Sequence, residues 1–77
     1  MDLDRFIKNF AAQFDEMNAN EFQTGTKFRD LEGWSSLSAL SIIAMIDEEY
    51  GVSIKGGDIR KAETIEDLFK TVLERKQ

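Results

Sequence analysis

The chain contains no cysteine and no histidine. Without cysteine there is neither a disulfide nor thiolate chemistry, and without histidine the commonest general base is missing; the two together are also the usual zinc ligands. These absences count against a hydrolase and against a metal centre. Proline is missing too, and no low-complexity tract, internal repeat or shift in composition marks a linker, so residues 1–77 read as one continuous domain. Apolar runs long enough to span a bilayer are lacking. The opening MDLDRFIKNF starts with acids and has no sustained apolar centre, so the expectation is a cytoplasmic protein with no signal peptide.

Positive charge is also scarce. Ten Lys and Arg against 15 Asp and Glu leave a net charge of −5, which repels phosphate backbones and anionic lipid. Nucleic acid and stable membrane insertion are therefore not expected, and basic protein surfaces are the better partners. At 77 residues a chain buries only about 60–65% of its unfolded surface, so the core is thin and stability is expected at a few kcal/mol.

What is present is helical periodicity. Leu3, Phe6, Ile7, Phe10 and Phe14 follow i, i+3, i+4 spacing and predict a first helix over about 2–14. Residues 15–35 lose that period and gather Asn, Gly and Thr, giving a connection of roughly 20 residues, long enough to need pinning. Phe22, Phe28, Leu31 and Trp34 are the candidate pins. A second helix is predicted over about 36–50, ending at Gly51, a residue suited to a left-handed C-terminal turn. Ala39, Leu40, Ile42, Ile43, Ile46 and Tyr50 spread over one broad face, and Ser38, Ser41, Glu48 and Glu49 share the other. Gly56-Gly57-Asp58 offers a turn and an N-cap for a short helix over about 58–62. Thr64-x-x-Asp67 has the form of a capping box opening a last helix over about 64–75. The fold class is all-α: a small bundle of three main helices plus one short helix, with a long first loop.

Ser35, Ser36, Ser38 and Ser41 crowd the start of the most apolar helix. Free N–H groups and the helix dipole favour negative charge at such a point, so a phosphate ester there needs no basic side chain. Serine is also a very common N-cap, and a cluster of serines at a helix start is more often structural than reactive. The local pattern leaves both roles open.

Thr26-Lys27-Phe28-Arg29-Asp30-Leu31, Trp34-Ser35-Ser36-Leu37, Ile46-Asp47-Glu48-Glu49-Tyr50-Gly51-Val52-Ser53-Ile54 and Ile65-Glu66-Asp67-Leu68 together resemble the acyl carrier protein family, in order and over essentially the whole chain. In that family an Asp-Ser-Leu motif opens the second helix, and its serine is esterified by 4′-phosphopantetheine from coenzyme A; the arm's thiol then carries acyl groups as thioesters. The resemblance places the attachment serine at Ser36, supported by Ser35 and Leu37. Ser35 replaces the usual aspartate: it keeps a capping hydroxyl and brings no charge to the transferase's recognition surface. An extra residue near Glu32-Gly33 is a second departure.

By the same resemblance, Ala39, Leu40, Ile43, Ile46, Ile54, Ile59, Ala62 and Leu68 would line an acyl pocket. Partner docking would fall to Leu37, Ser38, Ser41, Ala44, Met45, Asp47, Glu48 and Asp58. Ser38 and Ser41 stand at commonly acidic positions, and Arg60 and Lys61 add positive charge nearby. An apolar contact at Leu37, Ala44 and Met45 should therefore carry more of the docking, as in a specialised carrier dedicated to one lipid, polyketide or related pathway rather than general fatty acid biosynthesis. The implied partners are a phosphopantetheinyl transferase and acyl-loading and acyl-transferring enzymes, met transiently by a monomer. The alternatives are an amino-acyl or peptidyl carrier and an unmodified interaction domain on the same fold. An enzyme is not expected, because no nucleophile and base pair is recognisable. Asp47-Glu48-Glu49 points in several directions around a helix and has no ligand loop, so no Ca²⁺ site is expected.

Overall fold

The computed structural model describes residues 2–14, 22–31 and 33–76. Among the described residues four α-helices form in chain order, α1 (Leu3–Ala11), α2 (Ser36–Tyr50), α3 (Gly56–Lys61) and α4 (Ile65–Lys76), with a 3₁₀ turn at Phe28–Asp30 inside the first connection. α1 packs on α2 and α4, and α3 bridges α2 and α4.

Each helix has a local reason for where it starts and stops. The Asp2 carboxylate accepts the Asp4 N–H at 2.9 Å and caps α1. α1 closes at Ala11 rather than at 14, and its continuation tightens into Gln13 N–H to Phe10 O and Phe14 N–H to Ala11 O bonds. That turn places Phe14 against Trp34, ring centroids 6.1 Å apart. α2 ends at Gly51, whose φ of +66° carries the chain into the left-handed region.

α3 begins two residues before the expected Asp58. Gly56 and Gly57 are helical, and the Asp58 carboxylate reaches back to accept the Lys55 N–H at 2.9 Å. Asp58 caps from inside the first turn, so the glycines are enclosed by the helix. Thr64 and Asp67 cap α4 reciprocally, with Asp67 N–H on Thr64 Oγ1 at 3.1 Å and Thr64 N–H on Asp67 Oδ2 at 3.2 Å.

The core is strongly aromatic. Phe6, Phe10, Phe28, Ile42, Ile46, Ile65, Leu68 and Val72 are fully buried. Phe6 meets Phe69 and Tyr50, and Phe10 meets Phe28, at centroid distances of 5.3, 5.6 and 5.5 Å, within the range where tilted ring pairs attract. Among the described residues no polar side chain is buried.

Of the expected loop, residues 15–21 and Glu32 lie outside the described residues. The described part is pinned by apolar burial and by hydrogen bonds. Phe22 and Phe28 are buried, Leu31 and Trp34 pack half-buried against the core, and the Trp34 ring lies 5.2 Å from that of Phe28. The carbonyls of Thr26 and Thr24 accept the Ile65 and Glu66 N–H groups at 3.2 and 3.1 Å, satisfying donors that the first turn of α4 leaves free. Arg29 Nη2 donates to Ala62 O at 3.1 Å. The loop thus seals the end of the bundle at which α2 and α4 begin.

Candidate functional site

The start of α2 is built from a Ser-x-x-Ser spacing. Ser35 is the N-cap, with extended φ and ψ of −150° and 178°. Its Oγ accepts the Ser38 N–H at 3.4 Å, and Ser38 Oγ accepts the Ser35 N–H at 3.2 Å, the reciprocal arrangement of a capping box. Ser38 Oγ–H also reaches Gly33 O at 3.5 Å, and Gly33 takes a φ of +88°, so the turn before the helix is held by the same hydroxyl.

Ser36 lies between these two and is exposed. Its hydroxyl makes no hydrogen bond with any described residue. The cap is complete without it, and the helix dipole directs positive potential toward it. An anionic ester on Ser36 Oγ therefore fits the local field and displaces no existing bond.

Around α2, Ser36, Leu37, Leu40, Ala44, Asp47 and Glu48 share one exposed sector, as the 100° advance per residue dictates. Leu37 is 75% exposed and Leu40 61%. Two expectations are corrected here. Leu40, expected as acyl-pocket lining, faces outward, and Met45, expected as a docking contact, is 5% exposed and belongs to the core. The physical reason is that apolar residues occur at nearly every angle of α2, so the helix wheel alone does not choose the buried flank. Packing against α1 and α3 centres the buried arc on Ile42 and Ile46 and includes Met45 rather than Leu40.

Asp58, expected on the docking face, is also engaged within the fold: Arg75 Nη1 and Nη2 donate to its two carboxylate oxygens at 2.8 and 2.6 Å, and its side chain is 12% exposed. Its carboxyl is held below the ordinary 3.8, first by the Lys55 N–H and then by the Arg75 guanidinium. Ser38 is likewise half-buried and committed to the cap, while Ser41 is half-buried and Asp47, Glu48 and Ala44 are exposed.

The remaining residues named for an acyl pocket divide into two groups. Ile46, Ile54, Ile59, Ala62 and Leu68 are buried together in the core, and Ala39 and Ile43 sit half-buried at its edge. Sequence reasoning missed the outward Leu40 and the reciprocal role of Ser38; the Ser-x-x-Ser spacing, which sets an N-cap against the third helical residue, was the available signal for the second.

Among the described residues no helix is long and apolar enough to cross a membrane. No curated protein sequence matches the chain significantly. A family model, the phosphopantetheine attachment site, matches residues 5–72, which takes in all of α2 and α3 and most of α1 and α4. The chain thus belongs to the phosphopantetheine-binding carrier family, whose members hold a covalently attached 4′-phosphopantetheine.

Proposed function

We propose that Ser36 is the attachment point and that the protein holds acyl intermediates as thioesters on the arm, delivering them to enzymes of a dedicated lipid, polyketide or related pathway. The observation that carries this reading is the division of labour at the start of α2. Ser35 and Ser38 spend their hydroxyls on each other's N–H groups, whereas Ser36 presents an exposed Oγ with no bond to any described residue.

The arm supplies a terminal thiol on a long flexible chain. The protein's part is to hold the ester on a rigid helix, to balance its charge with the first-turn N–H groups, and to offer enzymes a surface beside it. Leu37, Leu40 and Ala44 share that outward sector with Ser36, and α2 has no acid in its first turn. An apolar contact beside the arm, with Asp47 and Glu48 farther along, supports a specialised partner set over one recruited by an acid-rich helix. The chain acts as a covalent cosubstrate rather than as a catalyst.

Intact-mass measurement after incubation with coenzyme A and a broad phosphopantetheinyl transferase tests the reading. One added phosphopantetheine, lost in Ser36→Ala and kept in Ser35→Ala, is expected. Failure of several such transferases to add it overturns the reading in favour of an unmodified interaction domain. Addition that persists in Ser36→Ala and vanishes in Ser35→Ala moves the attachment point by one residue.

A further inference from the structure

α3 has six residues and opens on Gly56 and Gly57. A helix of that length does not hold itself together in water, and its two glycines have the most backbone freedom to regain on release. Its hold on the core is slight. Ile59 is its buried residue, and Ala62, also buried, follows at its C-terminal end. Arg60 and Lys61 are exposed, and residues 56–58 are half-buried.

Both ends of α3 are instead held by arginines from other elements. In its first turn, Asp58 accepts from Arg75 Nη1 and Nη2 of α4 at 2.8 and 2.6 Å. At its far end, Ala62 O accepts from Arg29 Nη2 of the first loop at 3.1 Å. Each arginine is rooted close to a buried side chain, since Arg29 follows the fully buried Phe28 and Arg75 comes one turn after the fully buried Val72. The chain on either side of α3 is fixed as well. Ile54 is buried on one side. On the other, the Glu63 and Thr64 N–H groups are bound to Asp67 Oδ2 at 3.2 Å, and the Ile65 N–H is bound to Thr26 O at 3.2 Å. The stretch between these fixed points runs from Lys55 to Ala62.

We propose that α3 is a lid that opens as a unit while the other helices stay packed, and that Arg75 and Arg29 are the straps that hold it closed. Displacing any other helix exposes at least two fully buried large side chains, Phe6 and Phe10 on α1, Ile42 and Ile46 on α2, or Leu68 and Val72 on α4. Displacing α3 exposes one isoleucine and one alanine, so its apolar cost is the smallest of the four. Both straps belong to exposed arginines, whose guanidinium groups return to water when the bonds break. The lid governs access to the apolar interior between α2 and α4, on both of which α3 packs. It is a property of the bare chain and goes beyond the carrier reading.

Amide hydrogen exchange on the unmodified chain, read by NMR over a range of low urea concentrations, tests the lid. Where closing outruns chemical exchange, protection at residues 58–62 is expected to lie at least about tenfold below that at 42–46 and 68–72. It should also be nearly independent of urea, because the opening exposes little surface. Arg75→Met and Arg29→Met should each lower protection in α3 by about twofold or more. Gly57→Ala acts in the opposite direction. Its Cβ would meet Arg60 Nη2 at 3.8 Å, an ordinary contact, and the reduced freedom of the opened chain should raise protection in α3 by about two- to fivefold. Protection and urea dependence in α3 equal to those of the core overturn the lid. Protection in α3 unchanged in both arginine variants overturns the straps. The mass gain from coenzyme A tests the carrier reading separately, and its failure leaves the lid standing.

Discussion

Arg75, near the end of α4, holds both carboxylate oxygens of Asp58 in the first turn of α3, at 2.8 and 2.6 Å. The same carboxylate caps the Lys55 N–H, so one acid ties the start of a six-residue helix to the last helix of the fold. α3 is too short to be stable alone, and this bond compensates for part of that deficit.

Asp58→Ala removes cap and fork together and should cost about 1–2 kcal/mol in urea unfolding; Arg75→Met removes only the partly exposed fork and should cost about 0.5–1 kcal/mol. The pH dependence has a definite sign. Asp58 is held below 3.8 in the folded protein, so its stabilisation is complete above that unfolded value and is lost as pH falls through the lower folded one. Asp67 is also held below 3.8, first by the Thr64 N–H and then by the Glu63 N–H, and acts in the same direction. Asp58→Asn should therefore flatten the loss of stability below about pH 4. An acid limb as steep as that of the unmodified chain would show that Asp58 titrates alike folded and unfolded.

Phe28 is fully buried and lies 5.5 Å from Phe10 and 5.2 Å from Trp34. It is the principal anchor of the loop. Phe28→Ala should cost about 3–5 kcal/mol, comparable with the whole stability expected of so small a domain, and leave most molecules unfolded. Phe28→Leu, which keeps more of the volume, should cost about 1–2 kcal/mol and leave a folded majority. Trp34 is the only tryptophan and packs on this ring, so its fluorescence reports both outcomes. Equal denaturation midpoints for the two variants would mean that the loop is held by its hydrogen bonds alone.

The structure explains which of these features a reading of the residues reaches. The capping of α1 and α4 is local: Asp2, Thr64 and Asp67 act on N–H groups within a few positions. So is the stop at Gly51. The buried flank of α2 is not local, because Leu40 and Met45 are equally apolar and only the placement of neighbouring helices separates them. The start of α3 misleads for a different reason, since two consecutive glycines have the composition of a turn, yet they are helical and the carboxylate of the next residue, Asp58, caps the turn by accepting the Lys55 N–H. Arg29 on Ala62 and Arg75 on Asp58 join positions far apart in sequence, and no spacing rule connects them. At the candidate site, the local pattern left four serines with interchangeable roles. The hydrogen bonds separate Ser35 and Ser38 from Ser36, and the proposal that Ser36 is the attachment point rests on that separation together with the family resemblance.

Gly51 has a φ of +66°, and a Cβ added there would meet nothing within 4 Å. The cost of Gly51→Ala is thus backbone strain without a clash, about 1 kcal/mol. The helix end keeps its other cap in this variant, because Lys76 Nζ donates to Tyr50 O at 2.9 Å. Gly51→Asn should lose less, since asparagine tolerates the left-handed region. Thermal melts of the two variants give the comparison, and equal losses would place the cost outside the backbone conformation.

Ser35→Asp restores the charge that acyl carriers usually place before the attachment serine and keeps an acceptor for the Ser38 N–H. At the N-terminus of α2 that charge should add about 0.3–1 kcal/mol of stability at low salt. With a transferase whose carrier-binding face is basic, it should also raise the rate of phosphopantetheine addition by about threefold or more, an advantage that shrinks as salt increases. Ser35→Asn is the matched control, because it caps equally well and carries no charge. A mass-spectrometric progress curve for each variant separates the two effects. Faster addition to the Asp variant alone means that charge is what Ser35 withholds from the transferase. Equal rates for Asp and Asn would show that Ser35 contributes to modification only by fixing the start of the helix, and the proposed partner preference would then rest on the exposed Leu37 and Leu40.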